Sequence, residues 1–115
     1  MELEKFEKNI GYTFKDKNLL KTALTHTSYA NENKVQSNEK LEYLGDSILE
    51  FVSSEYLYNN YKNLNEGKMT KVRATVVCEE SLYKIATKHN FSDFLVLGKS
   101  EITCNRKQKT SNTCR

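Results

Sequence analysis

The chain has 115 residues, enough for one domain around a single core. With 37% hydrophobic and 29% charged residues, no Trp, no Pro and four Gly, it carries little turn punctuation, which favours helices over a many-stranded β fold. Net charge is +3, but Arg106, Lys107, Lys109 and Arg115 all fall in the last fourteen residues; the remainder has 14 bases against 15 acids, so bulk charge does not mark the body as a nucleic-acid binder.

Membranes and secretion are disfavoured as well. No apolar run approaches the roughly 20 residues of a membrane helix. The start, Met1-Glu2-Leu3-Glu4-Lys5, lacks the basic and apolar regions of a secretory signal, so a cytoplasmic protein is expected. Cys78, Cys104 and Cys114 are odd in number and have no paired ligand spacing, which argues against a disulfide framework or a zinc site. Cys78 lies in an apolar helical pattern and reads as a small buried hydrophobe.

Leu3, Phe6 and Ile10 predict a short first helix ending near Gly11. Asp16 is placed to cap a second helix whose apolar face is Leu19, Leu20, Ala23 and Leu24. Residues 30–37 are polar and read as a loop. Asn38 is a suitable N-cap for a long helix running to about Tyr61. After a turn at Asn65-Glu66-Gly67, one further helix is expected from about Lys68 to His89, burying Met69, Val72, Val76, Leu82, Ile85 and Ala86. A short helical or turn segment around Phe91 to Leu97 follows. The fold class is all-α.

The long central helix holds the most informative pattern. Glu39, Glu42 and Asp46 fall within roughly 60° of one another at about 100° per residue, whereas Leu41, Leu44, Ile48 and Val52 cluster on the opposite side. Like charges stacked one turn apart repel, so this face suits a bound cation or a cationic partner; a solvated acidic face is the alternative. Gly45, inside the helix, costs about 1 kcal/mol relative to Ala and is expected at a tight packing point.

The run from Asn38 to Leu49, Asn-Glu-Lys-Leu-Glu-Tyr-Leu-Gly-Asp-Ser-Ile-Leu, closely resembles the signature of the ribonuclease III family. The resemblance extends through Leu24-Thr25-His26-Thr27-Ser28-Tyr29, Asn65-Glu66-Gly67, Val72-Arg73-Ala74-Thr75-Val76-Val77 and Leu97-Gly98-Lys99-Ser100-Glu101. It implies the helical endonuclease domain of that family and metal-assisted hydrolysis of double-stranded RNA in rRNA or mRNA processing. Glu42 and Asp46 take the positions of catalytic, metal-ligating acids for Mg²⁺, with Mn²⁺ an alternative. Glu39 and Glu66 match supporting acids of the cleft, although Asn65-Glu66-Gly67 is also an ordinary polar turn. Tyr43 matches an aromatic that contacts the second subunit of a homodimer; partial burial within its own domain is the other reading. His26 is expected as a hydrogen-bonded structural residue, and Lys68, Lys71 and Arg73 as phosphate contacts or a solvated face.

The chain also departs from the family. The resemblance calls for a later Ile-Leu-Ala-Asp motif with a Glu three residues on, yet no Asp follows Asp93 and no Glu follows Glu101. If Arg115 uses an AGR codon, the codons of residues 112–115 read one nucleotide later permit that motif. A shift of frame between about Ser100 and Asn112 is one explanation, and a natural short paralogue with an unrelated tail is the other. The resemblance thus implies a domain over 1–101, incomplete at its C-terminus, no double-stranded-RNA-binding domain, and a product inactive by itself; the divergent tail over 102–115, almost without apolar residues or periodicity, is expected to be disordered. The alternative function is a non-catalytic dimerisation or RNA-binding module.

Overall fold

Leu3, Phe6 and Ile10 do form one helix: α1 spans Glu2–Ile10 and ends where Gly11 turns to a φ of +73°, a conformation glycine adopts without Cβ strain. The computed structural model describes residues 2–99, 101 and 102; apart from Ile102, the expected tail lies outside them. The remaining helices are α2 (Lys17–Ala23), α3 (Thr27–Asn33), α4 (Glu39–Asn60), α5 (Glu66–Val76) and α6 (Glu79–Lys88), with a 3-10 turn at Phe91–Phe94. Among the described residues the only β pairing is an isolated parallel bridge between Thr25 and Val96.

Among the described residues, those up to Lys40 together with those from Asp93 onward form one unit, and Leu41–Ser92 form a second. In the first unit α1 packs on α2, and Phe6, Leu20, Leu24 and Ala30 are buried. Phe6 meets Phe94 edge to face at 5.4 Å. Asp16 caps α2 as expected, its carboxylate accepting from the N–H groups of Asn18 and Leu19. Glu7 is buried and accepts from Phe14 N–H at 2.5 Å and from Lys17 Nζ at 2.6 Å, tying α1 to the segment that leads into α2.

Four expectations are corrected here. The polar stretch read as a loop over 30–37 begins inside α3. The helix is short and lacks an apolar stripe; its N-terminus is capped by a ring, His26 Nδ1 accepting from Ser28 N–H at 3.1 Å. Lys34, in the left-handed region at a φ of 53°, ends it.

The single helix expected over 68–89 is two helices. Thr75, Val76 and Val77 are consecutive β-branched residues with weak helix propensity, and Cys78 is extended. The Thr75 carbonyl, which would have continued the helical ladder, instead accepts from Ser81 Oγ at 2.7 Å and Cys78 Sγ at 3.3 Å. Cys78 is therefore exposed at the start of α6, not buried.

Third, the apolar side of α4 is not covered. Leu57 is buried, but Leu44, Ile48 and Val52 are more than half exposed, and on α5 and α6 so, in large part, are Val76 and Ile85. In the second unit α4, from Leu41 on, has as helical company only the 11 residues of α5 and the 10 of α6. Fourth, Gly45 is not a packing point: a Cβ built there meets nothing within 4 Å among the described residues.

Candidate functional site

Two segments fix the start of α4. Asn38 N–H donates to Thr25 O at 2.9 Å, and its side-chain Nδ2 donates to Ala23 O at 3.3 Å. The Asn38 amide thus anchors the helix start to the segment after α2, where capping was expected. Ser37 Oγ accepts from Glu39 N–H at 3.4 Å. Glu39 opens the helix, and its Oε1 accepts from Thr27 Oγ1 at 3.1 Å. Carboxylates in this first turn also suit the positive end of the helix dipole.

Glu42 and Asp46 follow on α4, four residues apart and exposed. Residues at this spacing are neighbours on a helix surface, with Cβ atoms about 5–6 Å apart. Two carboxylates so placed supply hard oxygen donors to one small cation that keeps several waters. The donor chemistry fits Mg²⁺ or Mn²⁺. Among the described residues, however, no three of His, Cys, Asp and Glu come close enough to share an ion. Glu66 does not complete a compact cage with this pair.

Glu66 is the first residue of α5, where Asn65 caps the helix by accepting from Lys68 N–H at 2.9 Å. Glu66 lines a groove of about 770 Å³ between α4 and α5, with Phe51, Tyr58, Met69 and Arg73 among its walls. Arg73 closes one side, its Nη1 donating to Ser54 Oγ at 2.9 Å. It is half-buried and holds α5 to α4, while Lys68 and Lys71 face solvent. Tyr43 is 81% exposed, so burial within its own domain is ruled out.

His26 takes the structural place expected of it. Its Nδ1 accepts from Ser28 N–H and lies 2.8 Å from Ser28 Oγ. Ser28 Oγ in turn accepts from Gly98 N–H at 2.8 Å. The contacts that unite residues 24–28 with 96–99 and 38–39 were not visible in spacing, because each partner lies ten or more residues away along the chain.

An all-helical domain whose longest helix presents paired carboxylates is what the structure describes, and the comparisons give its class. The chain matches the Ribonuclease-III-like family profile over residues 16–114. It is 49% identical over 100 residues to Ribonuclease 3 of Clostridium beijerinckii, covering 86% of this chain and 43% of that protein. With Ribonuclease 3 of Clostridium perfringens it shares 46% identity over 112 residues, covering 96% and 47%. Its fold matches the nuclease domain of ribonuclease III from Campylobacter jejuni, in a structure concerned with a region involved in dimer formation, at a TM-score of 0.83 and 43% identity, over 95% of this chain and 74% of that one. The chain belongs to the ribonuclease III family. It spans less than half the length of these curated relatives. Among the described residues no helix is long and apolar enough to cross a membrane.

Proposed function

We propose that the chain acts in the cleavage of double-stranded RNA as a ribonuclease III-type endoribonuclease, with Glu42 and Asp46 holding a divalent cation. The observation that carries this reading is the coincidence of family membership with two exposed carboxylates one turn apart on α4. A cation bound there supplies Lewis-acid stabilisation at the scissile phosphate and an acidified water. Glu42 and Asp46 hold their oxygens toward it, and Glu39 supports the same face. Glu66 and the solvent-facing Lys68 and Lys71 line the path of the RNA backbone, where cations neutralise phosphate charge. Tyr43, projecting from α4 into solvent, serves as a contact with a second copy of the chain, so that two sites address two strands.

A second reading has its own support. The described residues hold no group of three His, Cys, Asp or Glu arranged for one ion, and a non-catalytic module that dimerises or binds RNA would need none. One experiment separates the two. A labelled RNA duplex is incubated with the full chain, with Mg²⁺ or with chelator, beside the Glu42→Gln and Asp46→Asn variants. The first reading predicts metal-dependent cleavage that falls by about tenfold to a hundredfold or more in either variant. RNA binding without metal and without cleavage selects the second.

A further inference from the structure

Glu39 is an exposed carboxylate on a flexible side chain, and such a group samples many rotamers unless something fixes it. We infer that Thr27 is a positioning residue that aims the Glu39 carboxylate, an inference resting on the reading of Glu39 as a supporting acid of the nuclease face. Thr27 Oγ1 donates to Glu39 Oε1 at 3.1 Å. Both ends of this bond are pinned to one short segment. On the acceptor side, Asn38 is bound through its backbone to Thr25 O and through its side chain to Ala23 O, which sets where α4 begins.

On the donor side, Thr27 is half-buried between two fixed neighbours. His26 N–H donates to Val96 O at 3.0 Å, and Ser28 Oγ accepts from Gly98 N–H at 2.8 Å. Gly98 is needed for that approach: a Cβ there would lie 2.8 Å from the Ser28 backbone carbon and oxygen. The hydroxyl of Thr27 is thus delivered to Glu39 by a braced segment, and a hydrogen bond to a charged acceptor is stronger than a neutral one. A merely structural tether between α3 and α4 would need the two helices joined but not the carboxylate aimed, and that difference can be measured.

The test uses the full chain with ¹³C-labelled glutamate, comparing the parent with Thr27→Val and Thr27→Ser. The side-chain order of Glu39 is measured by ¹³Cγ relaxation, and duplex-RNA cleavage is followed in parallel. The expected result is a loss of Glu39 order in Thr27→Val and a fall in kcat/KM of about three- to tenfold. Thr27→Ser, which keeps the hydroxyl, restores both. If Thr27→Val does not fold, Thr27→Ala removes the hydroxyl without new bulk and takes its place. Unchanged Glu39 order, unchanged cleavage beside lost order, or no rescue by serine would each overturn the inference. Should the parent chain not cleave RNA, the nuclease reading fails separately, and the order of Glu39 still decides whether Thr27 positions it.

Discussion

Glu7 shows how one buried carboxylate makes a helix junction depend on pH. Its hydrogen bond from Lys17, and secondly that from Phe14 N–H, hold the carboxyl below the usual glutamate range. Because the folded-state value is depressed, the stabilisation is complete above about 4.3, the ordinary glutamate value, and is lost as pH falls through the lowered one. Thermal melting between pH 7 and 3 should therefore show a steeper acid loss in the parent than in Glu7→Gln, which cannot ionise; parallel curves would contradict this. Cys78 gives a second prediction at the same scale. Its thiol is exposed, and hydrogen bonding with the Ser81 side chain beside it, assisted by nearby backbone N–H groups, pulls it below the usual range. Since the thiolate is the nucleophile, site-resolved mass spectrometry should find Cys78 alkylated by iodoacetamide at pH 7.5 about twofold or more faster than a free thiol, and slower in Ser81→Ala.

At the scale of elements, Gly45 offers a clean test of how α4 sits. A glycine inside a helix costs about 1 kcal/mol relative to alanine, and no neighbour among the described residues stands where the new methyl group would go. Gly45→Ala is expected to raise stability by about 1 kcal/mol in urea denaturation; a loss would mean that the position is packed. The legible elements are those whose signals are local. Phe6 and Ile10 repeat at helical spacing, Asp16 caps at two and three residues, and α4 keeps an unbroken pattern to Asn60. The α3 helix escaped because its cap is the His26 ring, a residue type without a strong capping preference. The α5–α6 break escaped because no Pro or Gly marks it. Its cause is a β-branched run whose first carbonyl, that of Thr75, is claimed by Ser81 six residues on. In the same way Glu42 and Asp46 were readable in the signature, whereas the bond from Thr27 to Glu39 exists only once α3 and α4 are placed.

For the molecule as a whole, the uncovered apolar surface is the dominant physical fact. Tyr43, Phe51, Tyr56, Tyr58 and Tyr83 are each more than half exposed, alongside the aliphatic side chains of α4. Surface of this kind associates or binds apolar probes. The chain should sediment above monomer mass and enhance the fluorescence of an apolar dye, and Phe51→Glu should weaken both; a monomer with no dye binding would contradict the exposure described. Family membership says what class of chemistry to look for, but the carboxylate pair on α4 must show it. The decisive measurement is therefore a Mn²⁺ titration of the full chain followed by paramagnetic line broadening, Mn²⁺ standing in for Mg²⁺ because both take oxygen ligands. The account predicts that signals of Glu42 and Asp46 broaden first, that Mg²⁺ reverses the effect, and that the double substitution Glu42→Gln with Asp46→Asn removes it. Broadening spread evenly over exposed acids such as Glu50, Glu55 and Glu79, or unchanged in the double variant, would contradict it.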